Sequence, residues 1–414
     1  MKLHHTALAT LAVIVIAACT GGPATQQVEA QTRLADDHTP FVQIFNEGER
    51  ESLLYIWTRD ATGAGSDFLA VVDVDPDSPT FGEIIGEAPT GSTDNEAHHF
   101  GYTADGSRIF AGGMFSNKLF LYDVERDPRA PELVRTVDLG PSGYVGPHTA
   151  YALPDGVLVA MMGAADGGPG AILELTNEGD LRAAHQAPVH NGRDLHLYDV
   201  VVQPEANRML ATSFAHAEHF MHGVPDPEHV GNEVVVWDFE TKEVVQVAEL
   251  DLSTMVLRPL RTGNAVGGFV PSLFGNSVWF WEDANGDGEF EFHRVLEFEE
   301  GALPVDLRVS HDDRFMYVTL WAGGLVQQYD IRDRRNPRLI DEVEIPQPNM
   351  MRISPDSERL YVTNSLLSTL DGEVPFGAWL LHLTPEGMTV DERFSPEFEN
   401  HPQGRAGPHD MLLR

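Results

Sequence analysis

Cysteine occurs once in the 414 residues, as Cys19. Beyond it there is no disulfide, no thiolate nucleophile and no thiolate ligand, so a soft-metal site has to be built from histidine, methionine and carboxylates. Basic side chains are scarce: 27 Lys and Arg against 64 Asp and Glu give a formal charge of -37. A polyphosphate would be repelled rather than exchange its counterions for a basic face, which excludes nucleic acid as a partner and disfavours anionic lipid. Helical periodicity is almost absent, and no phosphate-cradling glycine loop, G-x-S-x-G elbow or HExxH pair occurs.

Lys2 begins the chain with positive charge, and Ala7 to Ala18 is apolar but too short to span a bilayer. This is the form of an export signal. It closes on Val15-Ile16-Ala17-Ala18-Cys19, which resembles a bacterial lipobox. The expectation is a signal peptide over 1–19, lipidation of Cys19, a flexible tether over 20–40 and one domain over 41–414. Such a protein is exported and held to the cell envelope by its lipid alone, facing the periplasm or the cell surface. Thr20 after the cysteine favours sorting to an outer membrane.

What fills the remaining chain is a repeat. Thr103-Ala-Asp-Gly-Ser-Arg-Ile-Phe110 aligns without a gap to Ser354-Pro-Asp-Ser-Glu-Arg-Leu-Tyr361. Ser310 to Tyr317 and Gln203 to Leu210 share the frame, and Pro154-Asp155-Gly156 marks a divergent copy. Each turn is followed by β-rich runs such as Val234-Val-Val-Trp-Asp238. With Leu53 to Val74 as an opening copy and Val266 to Trp281 as another, there are seven units roughly 45 to 55 residues apart. An all-β chain with that period predicts a seven-bladed β-propeller.

The register gives meaning to Glu96-Ala97-His98-His99. The two histidines lie seven and six residues before Asp105, and the equivalent pairs are His148-Thr149, Tyr198-Asp199, Val305-Asp306 and Asn349-Met350. In a propeller these places fall at the mouth of the central channel, so they predict a polar ring rich in metal ligands. Successive residues of a regular strand point to opposite faces, so both His98 and His99 reach one ion only where the strand is irregular. The tripeptide Gly146-Pro147-His148 recurs as Gly407-Pro408-His409, and a tail that completes the first blade brings His409 to the same mouth. The apolar Met411-Leu412-Leu413 supports docking of that tail.

Two further groups compete for attention. His216, His219, His222 and His229 fall in a proline-containing loop of the fourth unit, readable as an exposed polar loop or as an accessory metal-capture loop. Asp283-Ala-Asn285-Gly-Asp287-Gly288-Glu289 imitates a calcium loop, but its twelfth position is Arg294 instead of glutamate, which favours a plain acidic hairpin.

Several of these stretches together resemble the selenium-binding protein family, which includes bacterial methanethiol oxidase. They are Ser66 to Pro76, Glu96 to His99, Tyr198-Asp199 with Gln203-Pro204, Val234 to Asp238, Asp306 with Asp312 to Tyr317, Trp321, Gln328 to Asp330, and Arg359 to Thr363. The resemblance runs in order from about residue 50 to the end. It implies a β-propeller with copper held by His98, His99, His148 and His409. It also implies oxidation of methanethiol by O2 and water to formaldehyde, hydrogen sulfide and hydrogen peroxide. Tyr198, Asp199 and Asp306 then stand as catalytic residues or as orienters of the ligands. The chain departs from the family in having no cysteine beyond Cys19, which speaks against selenium binding, and two further family histidines fall on Glu233 and Gly323. The alternatives are a non-enzymatic copper-binding or copper-delivery lipoprotein and an interaction scaffold.

Overall fold

A computed structural model describes residues 33–35, 39–46, 48–262 and 266–414. The expected signal, Cys19 and most of the expected tether lie outside the described residues. Within the expected tether, Arg33–Ala35 pairs with Gln43–Asn46 as a short two-stranded sheet.

From Leu53 onward the chain forms seven four-stranded antiparallel sheets, each in simple up-and-down order. This is the seven-bladed propeller. Blade 1 is made from both ends of the chain: Ala406–Leu413 supplies its innermost strand, followed by Leu53–Asp60, Phe68–Asp73 and Ile84–Pro89. Blades 2 to 7 have as innermost strands Ala97–Tyr102, Tyr144–Leu153, Leu197–Gln203, Arg258–Pro259, Pro304–Val309 and Met351–Ile353. Met411, Leu412 and Leu413 are buried in the closing strand. At about 1.5–3 kcal/mol for each apolar side chain removed from water, docking the tail contributes several kcal/mol to ring closure.

The repeated turn has a local cause. Thr103 Oγ1 donates to Asp105 Oδ1 at 2.6 Å, which in turn accepts from Ser107 N, and Gly106 takes φ +67°. Ser310 with Asp312, and Ser354 with Asp356, repeat the 2.6 Å hydroxyl–carboxylate bond, with Asp313 and Ser357 in the left-handed position. The Gln203 copy has no hydroxyl there. It makes a 3-10 turn over Pro204–Ala206, and the left-handed residue moves on to Asn207. The Asx geometry that made the repeat visible is therefore what reverses the chain between the first and second strands.

Between blades, alternate strand residues interleave into apolar layers in which Trp57, Trp237 and Trp281 are fully buried. Their ring N–H groups need partners when buried. Trp57 Nε1 donates to Gly112 O at 2.8 Å, across to the next blade, and Trp281 Nε1 to Gln203 Oε1 at 3.2 Å. Just ahead of the first strand, the Glu51 carboxylate grips Arg359 of blade 7 through Nε (2.5 Å) and Nη2 (2.8 Å), and Tyr361 OH through a third bond.

Candidate metal centre

The innermost strand of each blade has no neighbour on its axial side, and in five of the seven its pairing slips by one residue at the same point. The slip falls across His98-His99, His148-Thr149, Tyr198-Asp199, Val305-Asp306 and His409-Asp410. Such a bulge ends the strict alternation of faces, so neighbouring side chains need no longer point to opposite sides. This is the irregularity that His98 and His99 require. Counting from the paired residues on either side, the corresponding pairs are Met255-Val256 in blade 5 and Asn349-Met350 in blade 7.

The first places of these pairs meet their neighbours around the axis. His409 stacks on His98 with ring centroids 3.8 Å apart, His98 lies 4.9 Å from His148, and His148 lies 3.6 Å from the Tyr198 ring. His99, from a second place, comes within 4.2 Å of His148 and 5.0 Å of His409. All four imidazoles are buried. His98, His99 and His148 each offer a ring nitrogen within 4.8 Å of the others. His409 joins them through its ring contacts.

The nitrogens divide into held and unheld atoms. His99 Nδ1 is 3.1 Å from Asp410 Oδ2, and His409 Nδ1 is 2.8 Å from the Ser365 carbonyl, contacts that assign the proton to Nδ1 in both rings. His148 Nδ1 is 3.4 Å from Thr149 Oγ1. His98 Nδ1, His148 Nε2 and His409 Nε2 are buried without a hydrogen-bond partner among the described residues. Buried polar atoms are nearly always paired, so three orphans on rings in mutual contact, drawn from three blades, suit donors to a metal ion. Burial, and then the neighbouring imidazoles, hold His98 and His148 well below the usual histidine range and His409 down to about 3. The lone pairs are therefore not taken by protons at neutral pH. Imidazole donors with oriented far nitrogens suit copper or zinc, so the residues present fit a copper ion.

The carboxylates stand at different removes from the cluster. Among the described residues, the one that touches an imidazole of the cluster is Asp410, the second-place residue of the closing strand. Its burial opposes ionisation, but the bond to His99 and the guanidinium groups of Arg352 and Arg308 outweigh burial and hold it far below the usual carboxylate range. Asp199 is one step removed: it accepts from Thr149 Oγ1 (2.6 Å) and Leu257 N (2.6 Å) and lies 3.4 Å from Arg258 Nη1. Asp306 is bound to Arg258 Nη2 (2.9 Å), Met351 N (2.9 Å) and Arg308 (3.2 Å), which makes it part of a buried ionic belt. Tyr198 stays protonated, its hydroxyl pushed far up by burial and by nearby aspartates.

Two loops roof the site. Between the second and third strands of blade 4, His216 caps the short helix Ala217–Phe220 by accepting from Glu218 N, and its Nε2 is 3.0 Å from Ala164 O. Gly163 allows this approach, since a Cβ there would lie 1.9 Å from the His216 ring. Both nitrogens of His216 are thus engaged. His219 stacks on His229 at 4.1 Å, where His229 lies beside Asp226 and Glu228 in an exposed group, while His222 is exposed. The structure does not bring the four loop histidines to one point. The second roof is residues 364–371 of blade 7, held by Asp371, which accepts from Leu366 N, Leu367 N and Arg59. Glu96, at φ +56° and pushed up to about 7 by burial, accepts from Ser368 N and Oγ. The two roofs meet where Thr369 Oγ1 donates to Phe220 O at 2.7 Å.

Beneath them, against His98 and Tyr198, is a chamber walled by methionine, leucine and phenylalanine. Sequence reasoning missed its apolar members and Asp410. Asp410 was legible, since it follows His409 at the second place. Met255 was not, because the fifth repeat copy was recognised only from Val266 onward and its innermost strand is two residues long. In the calcium-like loop, the Asp283 carboxylate accepts from Gly286, Asp287 and Gly288 amides, the geometry of a hairpin turn.

Residues 37–414 match the family described as 56kDa selenium binding protein (SBP56), and the chain belongs to that family. It is 29% identical over 388 residues to methanethiol oxidase of Hyphomicrobium sp, covering 89% of this chain and 88% of that one. To selenium-binding protein 1 of Arabidopsis thaliana it is 28% identical over 445 residues, covering 88% and 90%. Among solved structures, a hypothetical selenium-binding protein of Sulfolobus tokodaii is similar with a TM-score of 0.80 at 25% identity, covering 89% and 94%.

Proposed function

We propose that this protein is a copper-dependent thiol oxidase of the methanethiol type, with His98, His99, His148 and His409 as the copper ligands. The observation that carries this reading is the set of unpartnered, neutral imidazole nitrogens of His98, His148 and His409, with His98 lining an apolar chamber. The family relatives named methanethiol oxidase support it.

Bound copper supplies the one-electron chemistry that couples oxidation of a thiol to reduction of O2. The chain's own residues do the rest. Asp410 fixes the His99 ring with its proton on Nδ1, and Ser365 O does the same for His409, so that both rings present Nε2 inward. The two roofs keep bulk water from the chamber. Tyr198, packed on His148 and protonated, stands as a hydrogen-bond donor at the chamber wall. In net terms methanethiol, O2 and water become formaldehyde, hydrogen sulfide and hydrogen peroxide.

Export and anchoring through Cys19 form part of the proposal, with the thiol and O2 as its small-molecule partners. Copper-replete protein given methanethiol in air is expected to release sulfide and hydrogen peroxide; production of neither overturns the oxidase reading. The exposed donor group of Asp226, Glu228 and His229 favours a second reading, a lipoprotein that binds or delivers copper without turnover. That reading predicts tight stoichiometric copper in the same preparation and no products.

A further inference from the structure

The chamber against His98 is more selective than a metal centre needs. Met114, Met162 and Met255 come to it from blades 2, 3 and 5 of the ring, and Phe214, Phe220 and Leu367 close it. Every one of these side chains is buried. Among the described residues no charged side chain lines it, and its polar groups there, His98 and Tyr198, both belong to the ring of the imidazole cluster. In a chain with 64 acidic residues, a wall so free of charge discriminates. A thiol carrying an ammonium or carboxylate would be stripped of water there with nothing to pair it.

Size discriminates as well. The open space inside is about 30 Å³, where one water needs about 10–15 Å³ on the same measure. Two to three non-hydrogen atoms therefore fit, which is a thiol sulfur with one or two carbons. Phe220 is part of the chamber wall. It belongs to the blade 4 insertion and not to the ring, stacks on Phe214 at 4.9 Å and 16°, and is tied to the other roof through Thr369.

We propose that this chamber seats the alkyl group of a small neutral thiol and that Phe220 determines how long that alkyl group can be. The proposal rests on the thiol-oxidase reading for its ligand class. It is tested on the full-length protein under nitrogen, where binding proceeds without turnover. The probes are methanethiol, ethanethiol, butanethiol and, as a charged control, cysteamine, followed by calorimetry. Wild type is expected to bind the first two and to bind butanethiol at least tenfold more weakly, since a misfitting methylene is worth about 10–200-fold. Phe220→Ala is expected to remove that discrimination, while both proteins reject cysteamine. Leu370→Ala, on the opposite roof, gives the same readout if the first variant fails to fold. Equal binding of butanethiol and methanethiol by wild type, an unchanged ranking in folded variants, or binding of cysteamine overturns the proposal. Absence of turnover in air with the ranking intact removes the oxidase reading and leaves the chamber.

Discussion

If the orphan nitrogens await a metal, a ligand histidine burdens the metal-free protein instead of supporting it. His148→Leu tests this directly. The wild-type side chain buries Nε2 unpartnered, a desolvation cost of about 1–3 kcal/mol. Against that, the variant loses the long Nδ1 contact to Thr149 at 3.4 Å and the ring contact to Tyr198 at 3.6 Å, together about 1–2 kcal/mol. These nearly cancel, so the metal-free variant should unfold within about 1 kcal/mol of metal-free wild type. A residue that earned its place by packing would instead cost about 2–5 kcal/mol when replaced. With copper the two proteins diverge. Free metal at a hundred times its dissociation constant stabilises the folded state by about 2.7 kcal/mol, and wild type should show that gain while the variant loses most of it. Thermal unfolding in chelator and in excess copper supplies all four values. A metal-free variant destabilised by more than about 3 kcal/mol, or equal copper protection of both proteins, would refute the reasoning.

Asp410→Asn should weaken copper binding about 10–100-fold by releasing the His99 ring, measured by competition with a chelator of known affinity; unchanged affinity would show that Asp410 serves only Arg352, 3.5 Å away. In the metal-free protein, His409 is held at about 3 against an ordinary value of 6.5, so the unfolded chain takes up a proton that the folded one refuses. The resulting penalty on the fold is absent above pH 6.5 and grows as pH drops toward 3, reaching about 2 kcal/mol at pH 5; urea unfolding should show this slope reduced in His409→Leu. Glu51→Gln takes the bidentate counter-charge from buried Arg359 and leaves it only Asp356, 3.0 Å away; it should cost about 1–3 kcal/mol in urea unfolding with little change in copper affinity. Cys19→Ala should abolish incorporation of labelled fatty acid and release the protein from the membrane fraction; retention in that fraction without label would argue for a different attachment.

The sequence alone determined the architecture and the angular positions of the site. A β-propeller repeats one supersecondary unit, so its turn chemistry recurs in the chain and can be stacked by eye. That stacking placed His98, His148 and Tyr198 at one equivalent point and His99, Asp199 and Asp306 at the next, and the recurrence of Gly-Pro-His carried His409 to the same ring. Periodicity has no knowledge of bulges. That the innermost strands slip where the pairs stand, so that His98 and His99 both reach the cluster, depends on strand pairing across each blade. Which carboxylate meets an imidazole was decided by neighbours around the ring: Asp410 faces His99 of the next blade, whereas Asp306 faces arginines. The chamber is the most tertiary feature of all. Its wall is drawn from several blades and two roof insertions that obey no repeat, and apolar residues in such insertions look like ordinary core until the fold brings them over His98.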